Sequence, residues 1–124
     1  MLLGLRTTIY PAPDLAASRA FFTGVLGVEP YFDEPFYVGY DVGGYELGLL
    51  PVDGAATTAY WGVPDADAAV AALVAAGARV GDSVTDVGGG IRTATVVVVG
   101  GGVLGVIENP HFAARAVDSP GPGR

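Results

Sequence analysis

Along the first fifty residues, the pattern of polar and apolar positions is first that of a strand, then that of a helix, and then that of strands again. The β-branched and aromatic stretch 5–10 is followed by prolines and predicts a strand. Asp14 then precedes apolar positions at helical spacing that stop before Gly27, which predicts a capped helix. A short strand within 29–33 and a hairpin across Gly43–Gly44 follow. This segment is therefore expected to fold as β-α-β-β-β.

The same order of elements recurs in the second half. Residues 57–63 predict a strand, Asp65 after a proline begins a predicted helix, and Gly77 ends it. A short strand within 78–87 and a last hairpin, "GIRTATVVVV" and "GVLGVIENP", complete the repeat. Self-similarity at this period indicates two tandem modules.

This repeat predicts an α+β fold of two tandem βαβββ modules. Module one covers about 5–51 and module two about 57–110, and together they are expected to form a single domain over 1–110. The tail 111–124 ends in a Pro/Gly/Ser cluster and is expected to be mobile.

Composition and charge exclude several classes of protein. The 124 residues are 51% hydrophobic, which is enough for a globular core, and there is no cysteine for disulfides or thiolate metal sites. The net charge is −7 and the six basic residues are scattered arginines, so neither nucleic acid nor an anionic membrane is an expected partner. The apolar runs are too short for a membrane helix, and no signal-peptide pattern is present. We expect a cytoplasmic protein.

The repeat resembles the vicinal oxygen chelate superfamily, which contains glyoxalase I, extradiol dioxygenases and the bleomycin-resistance proteins. The stretches that carry the resemblance are "PDLAASRAFFTGVLGVEPYF" (13–32) and the closing "LGVIENPHF" (104–112), and it covers residues 5–110. It implies that the mixed sheet curls into a cup, with the helices packed on the outside and the ligand site lined by strands of both modules. It also implies a homodimer.

The resemblance further implies where a metal would bind. In the metal enzymes of the superfamily, His or Gln on the first strand and Glu on the last strand of each module hold a divalent ion. These positions fall on Thr7, Gly48, Thr58 and Gly105. Because none of them offers imidazole or carboxylate, a degenerate site with no metal and no cofactor is expected.

Strand parity predicts which residues face the cup. If Gly43–Gly44 is a two-residue turn, Asp41 pairs with Glu46 and Gly39 with Gly48. One face then carries six residues of unusual composition for a core: Tyr37, Gly39, Asp41, Glu46, Gly48 and Leu50. The other face would lie against the helix and carries Val38, Tyr40, Leu47 and Leu49. We expect the first face to be the floor of the cup, with Gly48 keeping volume open for a ligand.

Individual residues keep alternative interpretations. Glu46 is either a displaced metal ligand or a hydrogen-bonded carboxylate, and Asp41 with Glu46 is either a general acid/base pair or two solvated groups. Glu108 resembles the terminal glutamate of the superfamily but differs in strand parity, so it is expected to bond backbone instead. His111 is expected to lie away from the ligand. Of the aromatic residues in 31–40, one or two are expected to face it.

The favoured function is a small-molecule binder without metal, in which sequestration is the activity. The candidate ligand-binding residues are Thr7, Tyr37, Asp41, Glu46, Gly48, Thr58 and Gly105, and no catalytic residue is identified. An acidic lining suits a cationic or polyhydroxylated ligand, and aromatic rings would add stacking. The alternatives are a divergent metal-dependent lyase, isomerase or dioxygenase, a metal-free enzyme using Asp41 and Glu46, or a subunit whose cup is vestigial.

Overall fold

The computed structural model describes residues 1–54 and 56–111, and this part of the chain contains two helices and nine strands. The chain divides into two compact units. The first unit is Thr7–Ala59, and the second combines Met1–Arg6 with the residues from Tyr60 onward. The α+β class and the repeated order of elements are confirmed.

The first unit contains one helix and a four-stranded mixed sheet. Its elements are β1 (Leu5–Pro11, from Thr7 onward), α1 (Leu15–Leu26), β2 (Phe32–Glu34), β3 (Tyr37–Val42) and β4 (Tyr45–Leu50). The strand order is β2-β3-β4-β1, with β1 parallel to β4 and the other pairs antiparallel. Gly43 and Gly44 have φ of 63° and 91°, the left-handed conformation that a two-residue hairpin turn requires.

The second unit repeats this arrangement with an interrupted edge strand. Its elements are β5 (Thr58–Gly62, from Tyr60 onward), α2 (Ala66–Ala75), β6 (Arg79–Val80), β7 (Thr85–Gly88), β8 (Ile91–Val97) and β9 (Val103–Glu108). β5 is parallel to β9, β9 is antiparallel to β8, and β6 and β7 both pair with β8. The amide of Leu3 and the carbonyl of Gly4 both hydrogen-bond to Gly62, which ties the first six residues to this unit.

Both helices begin at the predicted residues and end within two residues of the predicted glycines. Asp14 accepts a hydrogen bond from the Ala17 amide at 3.1 Å, and Asp65 accepts one from the Ala68 amide at 3.1 Å. Gly27 follows α1 with φ of 72°, a left-handed conformation that ends a helix at little cost for glycine. Within the described residues, neither helix combines the length and the apolar character needed to cross a bilayer.

Each helix packs on one face of its own sheet. In the first unit, α1 covers Val38, Tyr40 and Leu49, which are fully buried, and Leu47 packs beside them. The Tyr40 hydroxyl bonds the Arg19 carbonyl at 2.9 Å, so its burial leaves no polar group unpaired. In the second unit the corresponding core contains Val63, Ala66, Ala69, Ala94 and Val106. The predicted parity of β3 and β4 is therefore confirmed.

The expectation for the tail 111–124 falls mostly on residues 112–124, which lie outside the described residues. His111 is described, and its Nε2 lies 2.7 Å from the Gly89 carbonyl oxygen. This contact holds it at the β7–β8 turn.

Candidate ligand-binding site

Glu46 lies on the face of the first unit's sheet that is opposite α1. It pairs with Thr7 on β1 and with Asp41 on β3, as the hairpin register predicts. The Thr7 hydroxyl donates to Glu46 Oε1 at 2.9 Å, and Thr7 is only 4% exposed. Because a buried hydroxyl without a partner is costly, the carboxylate and the threonine hold each other in place.

Tyr31 supplies the second donor to the same carboxylate. Its hydroxyl donates to Glu46 Oε2, and its backbone amide bonds the Gly39 carbonyl at 3.0 Å. Partial burial, and then the hydrogen bond and the charge of Glu46, raise the pKa of Tyr31. Its phenol is therefore a protonated donor at neutral pH.

Gly39 makes room for this pair. A side chain at Gly39 would place Cβ 2.8 Å from Glu46 Oε2 and 3.1 Å from Tyr31 Cε1. The sequence identified Tyr31 only as one of several aromatic residues near the site. Its specific role depends on the backbone before β2, where alternation along a strand gives no signal.

The general acid/base pair of Asp41 and Glu46 stays a hypothesis, and the two carboxylates have different surroundings. Its Oδ1 accepts a hydrogen bond from the Gly44 amide at 2.9 Å, so this carboxylate stabilises the hairpin turn. Glu46 bonds Thr7 and Tyr31 instead. These two carboxylates therefore have different hydrogen-bond donors, and the arrangement gives no support to a shared proton.

The expectation that Gly48 keeps open volume is wrong. A Cβ at Gly48 would lie 2.0 Å from the Tyr37 hydroxyl oxygen and 2.7 Å from its Cζ, so the tyrosine ring already occupies that space. The glycine therefore accommodates an aromatic side chain of the neighbouring strand, an arrangement known to compensate for glycine in sheets. Whether Tyr37 and Gly48 contact a ligand stays a prediction.

Gly105 accommodates a tyrosine in the same way in the second unit. It pairs directly with Tyr60, and a Cβ at Gly105 would lie 2.5 Å from Tyr60 Cδ2. Burial, and then the charge of Asp82, raise the pKa of Tyr60. Thr58, at the start of β5, donates to the Ala56 carbonyl at 3.4 Å. A site lined by strands of both modules stays a prediction.

Aromatic residues share this face of the first unit with the carboxylate. Tyr37 and Phe32 have ring centroids 6.1 Å apart, and Phe32 and Phe36 have centroids 5.9 Å apart. Phe32 pairs with Gly39, which puts it on the same face as Glu46. The face therefore carries both a hydrogen-bond acceptor and aromatic surface.

The residues present do not fit the metal site of the superfamily's enzymes. Thr7 and Thr58 offer only hydroxyls, and Gly48 and Gly105 have no side-chain donor. Tyrosine rings also lie over both glycines. Within the described part of the chain, no group of three or more His, Cys, Asp and Glu side chains is arranged to hold a metal ion. That the protein binds no metal stays a prediction, and no metal-dependent step follows from these residues.

Glu108 has a structural role in the second unit, as predicted from its parity. Its Oε1 accepts hydrogen bonds from the Ala66 amide at 2.8 Å and from Arg92 Nη2 at 2.6 Å. Arg92 also bonds Asp67 at 2.6 Å. The bonds from Arg92 and from Ala66 lower the pKa of Glu108. This carboxylate joins β9 to the start of α2.

Comparison with protein-family models assigns the chain to a superfamily that agrees with the repeated order of strands and helix described above. The model of the Glyoxalase/Bleomycin resistance protein/Dioxygenase superfamily matches residues 4–99, and the chain belongs to this superfamily. No curated protein sequence matches the chain.

Solved structures show the same fold at low sequence identity. A variant of the Streptomyces coelicolor methylmalonyl-CoA epimerase, in complex with 2-nitronate-propionyl-CoA, is 19% identical with a TM-score of 0.71, covering 97% of this chain and 100% of that one. A superfamily member from Vibrio splendidus 12B01 is 18% identical with a TM-score of 0.63, covering 85% and 99%. The Mn(II)-bound glyoxalase from Novosphingobium aromaticivorans is 20% identical with a TM-score of 0.67, covering 98% and 43%. At these identities the likeness establishes the fold alone.

Proposed function

We propose that the protein binds a small organic molecule on the face of the first unit that carries Glu46, and that binding without a metal is its activity. The observation that supports this is the Glu46 carboxylate, which is fixed by the hydroxyls of Thr7 and Tyr31 on the face opposite the helix. A carboxylate has about four acceptor sites, so two hydroxyl donors leave it able to accept further hydrogen bonds.

The surroundings of Glu46 suit an organic ligand. Tyr37 and Phe32 lie on the same face and offer apolar ring surface beside the polar group. Binding sites for small molecules commonly combine apolar lining with a few fixed polar groups. The ligand would place a hydrogen-bond donor at Glu46 and its apolar part against the rings.

The donor set favours binding over the metal chemistry of the superfamily. Glycine at two of the four implied ligand positions removes the side chains that would coordinate an ion. A metal-free enzyme that uses Asp41 with Glu46 is less favoured, because Asp41 bonds the hairpin turn. Sequestration is therefore the simplest activity that these residues support.

A thermal-shift screen of metabolites and antibiotics tests the proposal. A ligand that binds only the folded protein at about 100 times its Kd stabilises it by roughly 2.7 kcal/mol, which raises Tm by several degrees. We expect Glu46→Gln to remove this shift for the compounds that bind. Asp53→Asn removes the same charge from an exposed loop residue of the same unit and should preserve the shift. If every stabilising compound acts equally on Glu46→Gln, the site lies elsewhere.

The homodimer implied by the superfamily is also a proposal. Light scattering at micromolar concentration should give about twice the 12.5 kDa mass of one chain. A single species at the mass of one chain would contradict it.

A further inference from the structure

We propose that the ligand is an organic cation whose N–H group replaces the Tyr31 hydroxyl at Oε2 of Glu46. This inference rests on the proposed function and adds the chemical class of the ligand and the residue that it displaces. Two independent observations support it: the distribution of charge between the units, and the different exposure of the two donors on Glu46.

Almost all of the net charge belongs to the first unit. Of the thirteen Asp and Glu residues, seven lie in Thr7–Ala59, but only one of the six arginines does, which gives this unit a net charge of −6. That arginine, Arg19, is paired with Asp33 at 2.7 Å. The second unit has a net charge of only −1. The negative charge of the first unit attracts cations and repels polyanions such as phosphate-bearing acyl-CoA molecules.

The two donors that hold Glu46 differ in how easily they can leave. Thr7 is only 4% exposed, so water cannot reach its hydroxyl. Its hydrogen bond to Glu46 therefore cannot be replaced by one to water unless the strand moves. Tyr31 is 57% exposed, and its backbone amide bond to Gly39 does not depend on the side chain. Rotation of the Tyr31 side chain into water would therefore uncover Oε2 and leave the backbone pairing intact.

The energetics of this exchange favour a charged donor. A neutral alcohol that replaces the phenol exchanges one hydroxyl–carboxylate bond for another and gains little. An ammonium N–H also carries a positive charge, so the exchange adds an attraction between opposite charges that neither the phenol nor an alcohol supplies. The charge of Asp41 also acts on Tyr31, so the same carboxylate would add attraction for a cation.

Three probes of matched size separate charge from hydrogen bonding. Benzylamine is a cation with N–H donors at pH 7, benzyltrimethylammonium is a cation without them, and benzyl alcohol is a neutral donor. Calorimetric titration of the wild-type protein should give benzylamine a Kd at least about tenfold lower than that of benzyl alcohol, since tenfold corresponds to about 1.4 kcal/mol. Benzyltrimethylammonium should lie between the two.

The variant Tyr31→Phe keeps the ring and removes the competing hydroxyl. Its benzylamine Kd should fall by about tenfold, the scale of one lost competing hydrogen bond. Its Kd for benzyltrimethylammonium should fall by less than that of benzylamine, because that probe has no N–H to take the position of the phenol at Oε2. Tyr45→Phe is the matched control, since Tyr45 is also 57% exposed in the same unit, and it should behave like the wild-type protein.

The results separate this inference from the proposed function. A wild-type protein that does not prefer benzylamine to benzyl alcohol overturns the cationic class. A Tyr31→Phe variant that binds benzylamine equally or more weakly overturns the exchange, because Tyr31 would then only position Glu46. If neutral or anionic compounds in the wider screen still depend on Glu46, the binding site stands while this inference fails.

Discussion

The two units use the same strand framework but carry different chemistry on the face opposite the helix. In the first unit Gly48 pairs with Ile9 and Gly39, and two residues earlier Glu46 pairs with Asp41. In the second unit Gly105 pairs with Tyr60 and Thr95, and two residues earlier Val103 pairs with Val97. The pair of carboxylates thus corresponds to a pair of valines. The repeat preserves the backbone and leaves the polar site on one unit.

Gly48 and Gly105 occupy corresponding positions in the two units, but the tyrosine ring that covers each of them is oriented differently. Both are covered by a tyrosine ring, but the ring comes from β3 in the first unit and from β5 in the second. At Gly48 the nearest atom of Tyr37 is the hydroxyl oxygen, at the far end of the side chain. At Gly105 the near atoms of Tyr60 include Cγ, at 2.8 Å, which is fixed close to the backbone. An added methyl group would therefore meet a more rigid part of the ring at Gly105 than at Gly48.

The largest expected effect is the difference between Gly105→Ala and Gly48→Ala. Overpacking costs about 1–3 kcal/mol, and we expect about 2–3 for Gly105→Ala and about 1 for Gly48→Ala. The reason is that a small tilt of the Tyr37 ring moves its far end aside, whereas Tyr60 must change rotamer. Urea unfolding of both variants measures the two costs.

Repeating Gly105→Ala in a protein that already carries Tyr60→Ala tests why the two glycine substitutions differ in cost. In a Tyr60→Ala protein the added methyl at Gly105 meets no ring, so Gly105→Ala should cost close to nothing there. Equal costs for the two glycines, or an unchanged cost in the Tyr60→Ala background, would contradict the distinction between the units.

The next effect concerns the first unit at alkaline pH. Because the folded protein raises the pKa of Tyr31 above its ordinary value of 10.0, the stability it contributes is present below that pH. It is lost as the pH rises through the folded value. We expect the Tyr31 hydroxyl to contribute about 1 kcal/mol to the free energy of unfolding. Solvent around the exposed ring keeps this contribution small. Urea unfolding at pH 9 and pH 11.5 should show a smaller loss for Tyr31→Phe than for the wild-type protein.

Tyr45→Phe provides the comparison for this measurement. It removes an equally exposed phenol from the same unit and should lose as much stability at high pH as the wild-type protein. If Tyr31→Phe and Tyr45→Phe lose the same amount, the hydroxyl of Tyr31 does not stabilise the folded state through Glu46.

Much of the fold could be predicted from the sequence because its signals are local. Asp14 and Gly27 set the ends of a helix, and Gly43–Gly44 set the register that places Glu46 opposite Asp41. The site was harder to predict, since parity assigns a face but not the direction of a long side chain. Gly48 was expected to leave space, yet Tyr37 reaches over it from the neighbouring strand.

The smallest expected effect is at acid pH and concerns the second unit, where Glu108 joins β9 to the start of α2. Because the folded protein lowers the pKa of Glu108 below its ordinary value of 4.5, its contribution is present above that pH and is lost as the pH falls through the folded value. The bond from Arg92 is the larger cause of this lowering and the bond from the Ala66 amide the smaller one, and we expect them to contribute about 0.5 kcal/mol in total, the scale of an exposed ion pair or a helix N-terminus. Urea unfolding should therefore find Glu108→Gln less stable than the wild-type protein at pH 7, and this gap in the free energy of unfolding should close towards pH 3.

The matched control in the first unit is Glu34→Gln, which replaces an exposed carboxylate on β2 and should show no such gap. A gap at Glu108 that persists at pH 3 would mean that the glutamine fails for reasons of shape, not of charge.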